Sequence, residues 1–425
     1  MHKTTINYIN TMKNIKFRLI VMNFLQYAVW GSWLISLGAY LGGTLKFSGG
    51  EIGSFFATMG IASLFMPAIM GVIADRWVPA QRLLGISHLL AALFMVAASM
   101  QDTYQTLYPL VLCSVMFYMP TIALSNTVAY NALNKANLDT VKAFPPIRVW
   151  GTVGFICAMW AVDLLGFGLS SAQMLLSAGL GVVLGLYCFT LPSCDVNRNV
   201  ESKSWIDTLG LRAFALFKEY KMAVFFLFSM LLGMSLQITN AFADGYIKSF
   251  GDVAVHGDKY LGTFGVEHST ILISLSQISE TLCILLIPFC LKKFGIKNVM
   301  LISMFAWVLR FGLLGAGNPG AGVWMFILSM IVYGVAFDFF NISGSLYVEK
   351  ETTPEIRASA QGVFMIMTNG FGAFIGSYVA GWVVDKWGWP LSWYIFAGYA
   401  LVVAILFALV FKYKHNPNAE IEVKH

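Results

Sequence analysis

Four stretches of this chain, residues 52–74, 222–243, 358–384 and 387–411, contain no Asp, Glu, Lys or Arg. Wound as a helix at about 1.5 Å per residue, each is long enough to cross ~30 Å of hydrocarbon. The chain is 58% hydrophobic and only 11% charged, with a mean hydropathy of +0.72. A soluble globular domain carries roughly a quarter charged residues. The sequence therefore specifies an all-α integral membrane protein.

Twelve spans are expected, near 18–44, 52–74, 83–101, 107–131, 146–166, 171–191, 222–247, 268–291, 296–316, 322–348, 357–384 and 389–412. The longest polar connection follows the sixth. It divides the chain into an N-terminal six-helix half (1–191), a cytoplasmic linker (192–221), a C-terminal six-helix half (222–412) and a cytoplasmic tail (413–425). Of the 27 Lys and Arg, Lys46, Lys248, Lys259 and Lys386 fall outside the membrane, and Arg148 and Arg310 fall within spans. The remainder fall on the cytoplasmic side when the N-terminus is inside. This asymmetry is the positive-inside pattern, and an even number of spans returns the C-terminus to the cytoplasm. The net charge of +6 is thus topological and implies no nucleic acid.

The polar N-terminus leads into the first span without a small-residue cleavage site, so that span reads as a retained signal-anchor, with Met12 a second candidate start. The six cysteines and six histidines show no metal-ligand spacing, and no phosphate-binding glycine loop is present. No metal, cofactor or disulfide is expected, and no nucleophile–base pair suggests an enzyme.

The two halves echo each other. FPPIRVWGTVGF opens the fifth span and PEIRASAQGVF the eleventh. Paired halves of this kind build many secondary transporters, with substrate held near the midplane. GVIADRW, after the second span, matches the Gly-xxx-Asp-Arg core of the major facilitator loop signature, although Val78 or Pro79 stands where a later glycine is expected. Asp75 and Arg76 are read as a conformational latch.

Polar and aromatic side chains within spans fall on helical faces. Arg148, Thr152 and Phe155 are spaced i, i+4, i+7; Gln237 and Asn240, like Gln277 and Glu280, are spaced i, i+3; Tyr333, Phe337 and Asn341 share a stripe beside Asp338. A single Gln or Asn in a span often serves as interhelical glue, whereas an intramembrane charge is a functional candidate by default. Arg310 is the weakest of these and is expected in a structural ion pair. Asp163, Asp244 and Glu51 are expected to be solvated near span ends. Paired amide donors and acceptors, with rings for stacking, suit an uncharged polar ring compound, and the carboxylates suit hydroxyls or a proton. This reasoning leaves sugar and nucleoside both open.

The chain resembles the bacterial nucleoside:H⁺ symporter family of the major facilitator superfamily. The blocks that carry the resemblance are FLQYAVWGSWLISLG, FPPIRVWGTVGF, LFSMLLGMSLQITN, SQISE, LSMIVYGVAFDFFNISGS, IRASAQG and FKYKHNP. It implies a major facilitator fold and proton-coupled import of nucleosides across the bacterial inner membrane by alternating access, by a chain expected to be monomeric. It also implies that Arg148, Thr152, Phe155, Gln237, Asn240, Gln277, Glu280, Tyr333, Phe337, Asp338 and Asn341 bind substrate. A proton-coupled sugar or small-metabolite transporter is the alternative. Arg148 is expected to pair with Asp338 or Glu280 in some states; the carboxylate that loses this counter-charge takes up the proton. Asp338 is favoured as carrier because Phe337 and Phe339 flank it.

Overall fold

The computed structural model of the chain describes residues 2–196 and 211–413. Residues 197–210 of the linker expected at 192–221, and all but the first residue of the tail expected at 413–425, lie outside them. The long apolar runs are helices: α1 (His2–Gly31), α2 (Gly49–Arg76), α3 (Ala80–Ser99), α4 (Tyr104–Lys135), α5 (Thr140–Leu164) and α6 (Ala172–Cys188). They continue as α7 (Tyr220–Ser249), α8 (Ser269–Ile284), α9 (Ile287–Ala316) and α10 (Val323–Glu351). α11 begins at Pro354–Met365, passes through a π-helical stretch at Ile366–Gly372 and ends as Ala373–Trp387, and α12 is Leu391–Val410. Beyond α1 the first expected span goes on through Leu37–Ala39 and a π-helical Tyr40–Thr44. Among the described residues nine helices are long and apolar enough to cross a membrane, and α6 and α8 are shorter apolar helices.

Glycine sets some of the breaks. Gly295 lies inside α9 with φ 74° and ψ 166°, so the helix kinks where the sequence places the turn between the eighth and ninth spans. Gly388 has φ 63° and ends α11 in the left-handed region that side chains with a Cβ avoid.

Contacts divide the described chain into two units. One holds residues up to Leu34 together with those from Phe65 to the linker; the other holds Ile35–Leu64 and the residues after the linker. α2 thus contributes to both.

The first unit has a buried polar core. Gln26 donates to Thr121 Oγ1 at 2.7 Å and its carbonyl side-chain oxygen lies 2.7 Å from His88 Nε2, while the Tyr118 hydroxyl donates to the Gln26 backbone carbonyl at 2.7 Å. Such groups are tolerable out of water because they bond to one another.

In the second unit, rings dominate. Tyr246, Phe311, Phe326, Trp389, Trp393 and Phe396 form a chain of edge and offset contacts. The N-terminal end of α2 packs on α11 with its backbone: a Cβ on Gly53 would lie 2.2 Å from the Ser377 carbonyl oxygen, and one on Gly381 2.1 Å from that of Gly49. Asp385 closes this seam. Its two carboxylate oxygens accept the Gly49 and Gly50 N–H groups at 2.5 and 2.7 Å, supplying partners to amides that the first helical turn leaves unpaired.

The expectation that Asp244 is solvated does not hold. It is 1% exposed, pairs with Lys248 at 2.7 Å and accepts from Ser269 Oγ at 2.5 Å and Thr270 Oγ1 at 3.1 Å. The start of α8 supplies the hydroxyls that make burial of this ion pair tolerable.

Candidate functional site

In the first unit, α1 and α5 meet at their backbones. A Cβ on Gly154 would lie 2.1 Å from the Phe24 carbonyl oxygen, and one on Gly31 2.4 Å from that of Phe155. This approach carries Tyr27 and Trp30, three residues apart on α1, to the polar face of α5. The guanidinium carbon of the half-exposed Arg148 sits 3.9 Å from the centroid of the Tyr27 ring. Gly151 leaves room for that stack, because a Cβ there would come within 2.6 Å of Tyr27 and 2.8 Å of Arg148 Nη1. Phe155, 7% exposed, meets Trp30 edge to face at 6.2 Å and 87°. Thr152 is half-buried between them on the same face of α5. The expected partner of Arg148 was a carboxylate; within its own unit the tyrosine face takes that place, a cation–π contact.

In the second unit, α8 crosses α10 at Ser279 and Gly334. A Cβ on Gly334 would stand 2.6 Å from the Ser279 carbonyl oxygen, and Ser279 Oγ donates to the Ile331 carbonyl. The crossing brings Glu280 within electrostatic reach of both Tyr333 and Asp338. Asp338 is 5% exposed, and its Oδ2 is buried without a hydrogen-bond partner. Tyr333 and Phe337 form a parallel stack, centroids 5.7 Å apart at 6°, which makes an aromatic wall, with Trp307 of α9 at right angles to Tyr333 at 6.1 Å and 89°.

Phe337 and Asn341 line a small pocket with Trp307, Leu236, Thr368 and Asn369. Asn341 Nδ2 donates back to the Phe337 carbonyl at 3.0 Å. Gln237, Asn240, Gln277, Glu280, Tyr333 and Asp338 are not among its lining residues. Gln237 is nonetheless 7% exposed with its Oε1 unpartnered, and Asn240 and Gln277 are half-buried.

Asp75 and Arg76 end α2, the first exposed and the second half-buried. Arg310 differs from expectation: among the described residues no carboxylate pairs with it, and a backbone carbonyl and a ring take that role.

Tyr27, Trp30 and Asn369 belong beside these clusters and did not stand out in the sequence, whereas Trp307 is legible only as the companion of Arg310 on its helical stripe. Tyr27 and Trp30 share a face at i, i+3, as do Trp307 and Arg310. Spans rich in aromatic residues hide such pairs. Asn369 lies in the π-helical stretch of α11, a local irregularity frequent at functional sites, which periodicity at 3.6 residues does not reveal.

Each cluster offers a flat aromatic face beside charged or amide groups. Such an arrangement can stack a ring compound and hydrogen-bond its edges. Known proteins agree with that chemistry. A family model described as "Nucleoside H+ symporter" matches residues 12–416. The chain is 49% identical over 409 residues to nucleoside permease NupG of Escherichia coli (strain K12), covering 95% of this chain and 97% of that one. It is also 49% identical over 420 residues to xanthosine permease of the same organism, covering 97% and 99%. A crystal structure of nucleoside transporter NupG superposes with a TM-score of 0.88 at 49% identity, over 94% of this chain and 100% of that one. The chain therefore belongs to the nucleoside H⁺ symporter family, a family of transporters rather than enzymes, and has the major facilitator fold.

Proposed function

We propose that this protein imports nucleosides together with protons across the bacterial inner membrane by alternating access, as a monomer with both termini in the cytoplasm. The observation that carries the reading is the wall of α10. Tyr333 and Phe337 present parallel rings, while Asp338 keeps a buried, unpartnered oxygen one residue along. A base stacks on rings, and hydroxyls or a proton satisfy the carboxylate. Gln237 Oε1, buried without a partner, is a second acceptor that a bound donor would complete.

In this reading the same substrate meets both clusters during the transport cycle. Arg148, Thr152 and Phe155 act from the N-terminal six-helix half. Gln237, Asn240, Gln277, Glu280, Tyr333, Phe337, Asp338 and Asn341 act from the C-terminal one. Asp338, with Glu280 beside it, holds the proton, and Arg148 exchanges the Tyr27 face for a carboxylate in other states. Asp75 and Arg76 latch one state. The guanidinium remains charged throughout, so any titration belongs to the carboxylates.

Uptake by proteoliposomes tests the proposal. With an inward proton gradient, labelled uridine or adenosine accumulates above its outside concentration, an uncoupler abolishes the accumulation, and hexoses do not compete. Accumulation indifferent to the gradient, or inhibited by hexoses as strongly as by nucleosides, overturns it.

A further inference from the structure

Arg310 of α9 is 2% exposed, and its role is unassigned by the reading above. A guanidinium so far from water needs replacement partners for its charge and donors. Its Nη1 donates to the Ser329 carbonyl at 2.7 Å and to Ser276 Oγ at 3.4 Å. Ser329 Oγ in turn donates to the Arg310 carbonyl at 3.0 Å, tying α9 to α10 in both directions. The guanidinium carbon then lies 4.6 Å from the centroid of Tyr333. Three residues earlier on α9, Trp307 sets its ring perpendicular to that of Tyr333. Cation and indole thus hold one aromatic side chain, and that side chain runs parallel to Phe337.

We propose that Arg310 is a positioning residue of the nucleoside site. Pinned by Ser329 and Ser276, it fixes the plane of Tyr333 and so holds the parallel Tyr333–Phe337 stack in place as the wall a base packs against. This inference rests on the proposed function, in which that wall contacts the nucleoside. Arginine suits the task because its planar group stacks on a ring while Nη1 reaches a carbonyl and a hydroxyl; lysine offers a compact point charge and cannot do both. Because the guanidinium does not titrate in the working range, the effect is on affinity and leaves the pH profile of transport unchanged.

A double-mutant cycle on nucleoside dissociation constants, measured in detergent with uridine, tests it. Arg310→Lys raises the constant by about fivefold or more in the native and Tyr333→Phe backgrounds, and by less than about twofold in Tyr333→Leu, where no ring remains to position. In uptake the loss appears in KM, with the maximal rate and pH profile retained. Ser276→Ala carries the same cycle if Arg310→Lys is not monodisperse on size exclusion. An equal loss in all three backgrounds, or a native constant for Arg310→Lys alongside an impaired Tyr333→Leu, overturns the positioning role while leaving the site intact. Native binding by Tyr333→Leu instead refutes the wall itself, and with it the reading on which the proposal stands.

Discussion

Asp385 provides a sharp quantitative test of alternating access. Its carboxylate accepts two amide hydrogens from the start of α2, at 2.5 and 2.7 Å, and the seam beneath is backbone against backbone at Gly53 and Ser377. A hydrogen bond to a charged group contributes about 1.5–3 kcal/mol net when buried. Asp385 is exposed, so water replaces part of this on opening, and the pair together is worth about 1.5 kcal/mol. If the seam opens during transport, Asp385→Ala shifts the balance toward open states by about tenfold. Ser377 is 0% exposed on that seam, and Ser377→Cys in a cysteine-free background makes a reporter. Its rate of reaction with a membrane-impermeant maleimide follows the open population when opening and closing are fast. The rate rises about tenfold in Asp385→Ala and by less in Asp385→Asn, which keeps one acceptor. A change below about twofold in Asp385→Ala, in protein that remains monodisperse, refutes the idea that this seam opens with the clasp as its restraint.

Two further outcomes follow from the packing and the unpartnered groups. Gly154→Ala pushes a methyl against the Phe24 carbonyl, 2.1 Å away; overpacking of this kind costs about 1–3 kcal/mol, read as a lower melting temperature of the purified protein. Gln237→Ala removes a buried amide with a free acceptor and weakens nucleoside binding about fivefold in calorimetry, since a lost hydrogen bond to a buried ligand costs on the order of 1 kcal/mol; unchanged affinity removes Gln237 from the site.

Much of the fold is legible in the sequence because lipid allows so few solutions. Once a run such as 387–411 lacks any charge, helix is the economical answer, and α12 forms there. The kink at Gly295 is likewise readable from Lys292, Lys293 and Gly295 between two apolar runs. The grouping of Ile35–Leu64 with the second unit is not readable. It depends on glycine backbones meeting partners hundreds of residues away, such as Gly53 and Ser377. The stripe of Tyr333 and Phe337 is visible as a spacing and becomes a parallel pair in the structure. The support behind it is not visible, because Arg310 stacks on a ring where an ion pair is the natural expectation. Asp244 fails for a similar reason: its hydroxyl partners, Ser269 and Thr270, come from another helix.

The central claim is that nucleoside movement is driven by protons carried on Asp338, and Asp338→Asn in proteoliposomes tests it most directly. Asparagine has the shape of the protonated acid but cannot release a proton. Uridine accumulation under an inward proton gradient and uridine counterflow without one are measured on the same preparation. With Asp338 as the proton carrier, accumulation is lost while counterflow persists. Full proton-driven accumulation by Asp338→Asn contradicts it.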